Sequence, residues 1–137
     1  MSAVLAVQKA IRARLVTTSA VTALVPAANI RDSNARPDID PCIILGDDEM
    51  VDEGDSIDRN TARVHSTLHI WKKEADTLGA KAIAGAVWKT IKASRLVLDV
   101  GFHCGDCRVS DVRFLRDPDG VTTHGVLTVE TLVREIA

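Results

Sequence analysis

The residues best suited to chemistry lie in His103-Cys104-Gly105-Asp106-Cys107. A Cys-x-x-Cys pair on a tight turn can chelate zinc or shuttle a disulfide, because the turn brings both sulfurs to one ion or one bond. A structural zinc site takes four ligands, and no second pair at finger-like spacing exists. His65 and His69 are four apart, but on a strand that spacing is about 13 Å, too far for one ion. A thioredoxin-like reading expects the motif to open a helix early in a βαβ unit. Here it falls in a predicted loop between a helix and a hairpin. The spacing therefore favours two unremarkable loop thiols, with a small zinc-binding or thiol-redox module using Cys104 and Cys107 as the alternative.

Other catalytic patterns are missing. The chain has no Gly-x-Ser-x-Gly elbow, no His-Glu-x-x-His and no glycine-rich phosphate loop. Asp117-Pro-Asp119-Gly120 looks superficially like a calcium loop. The first acidic ligand position is Leu115, however, and the downstream glutamate is absent, so a turn is the better reading. No catalytic residue, cofactor or metal ligand is assigned.

The most unusual feature is electrostatic. From residue 38 to residue 58 there are nine acidic residues and no basic one. They are Asp38, Asp40, Asp47, Asp48, Glu49, Asp52, Glu53, Asp55 and Asp58. A solvated loop accounts for such a run. So does a surface that meets a basic partner or repels DNA.

The elements that would position these residues follow from periodicity. Residues 3–16 carry Val4, Val7, Ile11 and Leu15 on one stripe, with Ser2 as the N-cap. A short second helix over 20–25 ends at Pro26. Residues 29–40 read as loop, broken by Asn34, Pro37 and Pro41. Cys42-Ile-Ile-Leu45 reads as a buried strand, followed by an acidic loop to Asn60. Residues 61–71 alternate cleanly, as a half-buried strand does. A second long helix is predicted over 76–94, capped by Asp76, with Ala80, Ile83, Ala84, Val87 and Ile91 inward. A brief strand over 96–100 precedes strands at 109–115 and 121–133, joined by the Asp-Pro-Asp-Gly turn.

These elements predict an α+β fold: a mainly antiparallel sheet, two long helices packed on one face, and a long C-terminal hairpin. Residues 1–137 form one domain in this reading. A 13-residue final strand spans roughly 40 Å, against a radius of gyration near 14 Å for a domain this long. Part of the hairpin is therefore expected to project or to pair with a neighbouring chain.

Composition narrows the function further. Of 137 residues, 17 are basic and 19 acidic, a formal charge of −2, and aromatics make up 3% with no tyrosine. Near-neutral charge argues against general DNA coating, and scarce aromatics against base stacking. No apolar run approaches the ~20 residues that cross a bilayer, and no signal-peptide core opens the chain. Three cysteines without an export signal point to reduced thiols.

The segments together resemble the phage tail-completion, or tail-terminator, proteins. The resemblance rests on Ala23-Leu-Val25 after the opening helix, Pro41-Cys-Ile-Ile-Leu-Gly46, His65-Ser-Thr-Leu-His-Ile-Trp71, Ala80-Lys-Ala-Ile-Ala84, Leu115-Arg-Asp-Pro-Asp-Gly120 and His124-Gly125. Such genes also occur in phage-derived gene transfer agents. The Cys-x-x-Cys pair is not part of the pattern. The resemblance implies a non-catalytic virion protein at the head–tail junction, assembled in a bacterial cytoplasm. It would form a ring, typically a hexamer, on the tail tube and present a face to the head connector or stopper, with DNA passing through unbound. The expected tube- or lumen-facing segment carries Asp47, Asp48, Glu49, Asp52, Glu53, Asp55 and Asp58. The expected subunit contacts are Asp117, Asp119, Gly120, Thr122 and His124.

Overall fold

A computed structural model describes residues 2–34 and 38–136; the loop expectation at Pro37 lies outside them. The chain opens with α1 (Ala3–Val16), whose apolar stripe buries Ala6, Val7, Ile11 and Leu15. The Ser2 hydroxyl accepts the Leu5 amide at 3.1 Å, satisfying one of the free donors of the first turn. A single turn, α2 (Ser19–Thr22), and a 3₁₀ turn (Ala27–Asn29) lead into β1 (Ile30–Asp32). Then come β2 (Cys42–Asp52), β3 (Thr61–Lys73), α3 (Leu78–Lys92), β4 (Phe102–Arg116) and β5 (Thr122–Glu135).

The five strands form one sheet in the order β1-β2-β3-β5-β4. β1 runs parallel to β2 through Ile30↔Ile43 to Asp32↔Leu45, so the sheet is mixed where a mainly antiparallel one was expected. The other three pairings are antiparallel. Both α1 and α3 lie on one face, and alternation along the strands decides what they cover. Val64, Leu68 and Ile70 of β3 and Leu127, Val129 and Val133 of β5 point into a shared core with Ile11, Leu15, Ile83, Val87 and Ile91. Arg14 ties the two long helices together. Its guanidinium donates to the carbonyls of Ser94 and Arg95, both at 2.6 Å, just past the end of α3. A cation there also meets the negative end of the helix dipole.

Several expected boundaries move. The acidic stretch is not a loop from residue 47 onward. β2 continues to Asp52 and pairs with β3 as far as Asp52↔Ala62, after an irregularity between Ile44 and Asp47. Gly46 sits there at φ +106°, and a Cβ would meet the Asp32 carboxylate, so the kink needs glycine. No strand forms over 96–100. Instead β4 begins at Phe102 and contains both Cys104 and Cys107, which are therefore strand residues and not loop residues. The cap of α3 also differs. Glu74 accepts the amides of Gly79 and Ala80, while Asp76 accepts that of Leu78.

The last hairpin does not stand alone beyond the body. β3, with 13 residues to the 14 of β5, pairs with it from Thr61↔Arg134 to Lys73↔Thr122. The sheet as a whole outruns its helices: 13 paired residues extend about 43 Å, whereas a 15-residue helix covers about 22 Å.

Candidate functional site

The sheet face turned away from α1 and α3 carries Arg63, His65, Thr67, His69 and Trp71 from β3, all half-buried. The register brings Leu132, Glu130, Thr128, Val126 and His124 of β5 opposite them. β2 adds Asp47, Glu49 and Val51 on one flank, and β4 adds Arg108, Arg113 and Leu115 on the other.

Two constellations organise this face. Toward one end, His124 stacks on Trp71 with ring centres 3.7 Å apart and planes 8° from parallel. The His69 ring lies against His124 as well, with centres 5.0 Å apart and planes 27° from parallel. Nε2 of His69 lies 3.2 Å from Oδ2 of Asp47, and its Nδ1 lies 2.8 Å from Nε2 of His124. A carboxylate only accepts, so a neutral His69 donates from Nε2 to Asp47 and accepts a hydrogen bond from Nε2 of His124 at Nδ1. These side chains line a concavity of about 390 Å³ with Ser33, Asn34, Ile44, Leu45 and Gly46. The result is a concavity in which the stacked rings and Asp47 sit beside apolar Ile44 and Leu45.

Toward the other end, Arg63 bridges two strands. It donates to Glu130 at 2.7 Å and to Glu53 at 2.9 Å, and Arg108 reaches Glu130 at 3.3 Å. Paired in this way, the Arg63 guanidinium holds Glu53 below the usual carboxylate range. Arg63 and Glu130 are partly shielded, whereas Arg108 is exposed, and an exposed partner of that kind adds little to stability.

The acidic residues divide between strand and loop. Asp47 and Glu49 are exposed on the open face, whereas Asp48 points to the helix side opposite Ser66. Burial raises the Asp48 pKa; the Ser66 hydroxyl opposes that, and the carboxylates of Asp47 and Asp32 add to it. Asp52 ends β2, with Arg59 at 3.8 Å. Glu53, Asp55 and Asp58 belong to the connecting loop, where the Ser56 hydroxyl and the Asn60 amide lower the Asp58 pKa. The loop leaves Ile57 99% exposed.

The residues at the β4–β5 turn are placed differently from one another. Asp119 accepts the amides of Val121 and Thr122, both at 2.9 Å, and the Thr122 hydroxyl at 2.6 Å. Gly120 takes φ +75° and donates to the Asp117 carbonyl. Thr122 is buried and His124 lies within the ring stack, so of the five expected contacts Asp117, Asp119 and Gly120 lie at the accessible tip, with Pro118 between them.

The thiols are interior. Strict alternation would send residues 104 and 107 to opposite faces, but an extra residue at Gly105 turns both toward the helices. Cys104 is buried, and burial pushes its pKa up; Cys107, half-buried with Thr131 donating to its sulfur, is pushed up to about 11. Protonated, shielded thiols are poor nucleophiles and poor ligands. Among the described residues, no group of three or more His, Cys, Asp and Glu could hold a metal ion.

Residues 9–134 match the family described as Tail completion protein gp17. The chain belongs to that family. It is a structural virion protein of phage-type tails, and it assembles with other tail proteins. Its fold is similar to that of a chain in the virion of a native gene transfer agent particle, with a TM-score of 0.83 and 22% identity over 98% of this chain and 99% of that one. It is also similar to the bacteriophage SPP1 gp17 protein, with a TM-score of 0.62 and 22% identity over 98% and 91%. No curated protein matches the chain. No described helix is long and apolar enough to cross a membrane.

His124 was the member of the ring stack that sequence alone could not supply. His65 and His69 stand out as a spaced pair, yet the true partner of His69 is 55 positions away. The signal that finds it is the hairpin register, which sets Trp71 opposite His124.

Proposed function

We propose that this tail-completion protein closes into a ring, typically a hexamer, on the end of the tail tube, at the head–tail junction. The ring ends tube polymerisation and offers its other face to the head connector or stopper. No chemistry is performed; the work is geometric. The observation that carries this reading is the family match over residues 9–134, joined to a sheet with one face uncovered by helix and two unlike flanks. A cyclic assembly needs two different complementary surfaces on each subunit, and unlike flanks supply them. The exposed tip at Asp117, Asp119 and Gly120, at the end of the β4–β5 hairpin, takes part in subunit contacts.

The acidic segment suits a channel that passes DNA. Carboxylates of Asp47, Glu49, Asp52, Glu53, Asp55 and Asp58 placed at the lumen or tube end repel phosphate, and like charges around a narrow channel act together. Asp48, turned to the helix side, contributes least. DNA then passes without binding. Electron microscopy of the assembled particle tests both parts. Density for the chain as a closed ring at the top of the tail, with the acidic segment inward or toward the tube, is the expected result. A chain found elsewhere in the particle, or that segment on the outer rim, overturns it.

A further inference from the structure

A second surface lies between α3 and the outer half of β4. Lys81, Ala84, Gly85, Trp88, Val112 and Phe114 line an apolar groove of about 330 Å³. Trp88 is 44% exposed and Val112 36% exposed. The groove is rimmed by positive charge. The Lys92 ammonium lies 3.7 Å from the centre of the Trp88 ring, and that of Lys81 lies 5.8 Å from Phe114. Arg116 stands exposed two residues beyond Phe114 on the same side of β4, whereas Arg113 and Asp111 belong to the open face.

The complementary surface is on the same chain, at the other end of the sheet. The β2–β3 loop presents Ile57 fully to solvent, flanked by Asp52, Glu53, Asp55 and Asp58, with Arg59 the basic exception. Asp55 has no partner among the described residues. An apolar side chain ringed by carboxylates matches an apolar groove ringed by ammonium and guanidinium groups, in both shape class and sign.

No chain can fill its own groove. The register places Phe114 beside Gly125 and Ile70, while the loop begins beyond Ala62, which aligns with Val133 and Cys104. Eight residues of strand separate the two levels, about 26 Å. We infer that the Ile57 loop of one subunit docks in the α3–β4 groove of the next copy. The contact is head-to-tail, as a closed ring requires. The loop then sits at the seam between two subunits, with Ile57 and the carboxylates nearest it against the neighbour and Asp47 and Glu49 of the same segment left to tube or lumen. This inference rests on the ring reading and supplies its interface.

Gly85 provides a clean test, since a Cβ added there meets nothing within 4 Å. Gly85→Glu fills the groove with a carboxylate while leaving the fold alone, and Ile57→Asp removes the fully exposed anchor. Mass is measured by light scattering across a concentration series of the full chain. The wild type is expected to form rings, and each variant alone is expected to stay monomeric. An equimolar mixture is expected to stop at heterodimers, because one intact loop meets one intact groove and no further contact can form. Rings from either variant, or a mixture that stays monomeric, overturn the docking while leaving the ring intact. A wild type that is monomeric at every concentration overturns the ring reading itself.

Discussion

The two hairpin ends of this sheet are built on opposite plans. At the β4–β5 end, five residues turn the chain, and Asp119 alone accepts three hydrogen bonds from Val121 and Thr122. Thr122 and Thr123 beyond it are buried, with Thr123 donating to the Asp76 carbonyl just before α3. At the β2–β3 end, a longer loop turns Ile57 and most of its carboxylates outward. One end spends its side chains on its own fold. The other leaves them available, and a fold that tolerates such a loop is held together elsewhere.

The sharpest break of this contrast is Thr123→Pro. In an isolated, projecting hairpin a lost ladder bond near the tip is contained locally. Here β5 is central, with Lys72 on one side of Thr123 and Arg116 on the other. Proline removes a ladder donor inside the sheet, so a loss of about 3 kcal/mol or more is expected, read as a collapse of the thermal midpoint. A variant that melts like the wild type would show that this end, too, is only loosely tied.

Next in size is the thiol pair beneath the β4 bulge. Replacing Cys104 and Cys107 together by Ala is expected to cost roughly 1–3 kcal/mol through lost packing, measured by denaturant unfolding, with the same cost in the presence of a chelator. Chelator sensitivity in the wild type alone would revive a metal role. With pKa values raised above the ordinary thiol, Cys107 to about 11, neither cysteine is expected to alkylate at pH 8 until the chain is unfolded. Mass spectrometry after labelling checks this.

Asp119→Ala is expected to cost about 1–2 kcal/mol, since it strands two amides of the turn. A matched change in the other hairpin, Asp55→Asn, is expected to move stability by no more than about 0.5 kcal/mol, as surface substitutions do. Equal costs at the two positions would erase the comparison.

The smallest effect concerns Asp48, the acidic residue that turns to the helix side. Its folded pKa is raised above 3.8, chiefly by burial. The folded state therefore holds its proton more tightly than the unfolded chain. The contribution to stability is fully present below pH 3.8 and is lost as pH rises through the folded value. Asp48→Asn is expected to remove that decline and to be neutral or mildly stabilising at pH 7. Glu53, whose pKa is lowered by Arg63, has the opposite sign: its stabilisation is present above the ordinary glutamate value of 4.5 and fades as pH falls. A pH series of melting curves on Asp48→Asn and Glu53→Gln separates the two.

Local pattern determined much of this protein. The stripes of α1 and α3 were legible because a 3.6-residue period is written in neighbouring residues, and the same holds for the alternation of residues 61–71 and the Asp-Pro-Asp-Gly turn. The family resemblance was legible for a similar reason, being carried by short apolar and turn motifs. Tertiary structure decided the rest, because it depends on which strand lies beside which. The extension of β2 through Asp47–Asp52 was hidden by its acidic composition; polar residues join a strand when β3 is there to pair with them. The parallel placement of β1 and the inward turn of both thiols at the Gly105 bulge have no signal in local periodicity. The stack of Trp71, His124 and His69 comes from register alone, and a slip of one residue would have sent each ring to the opposite face.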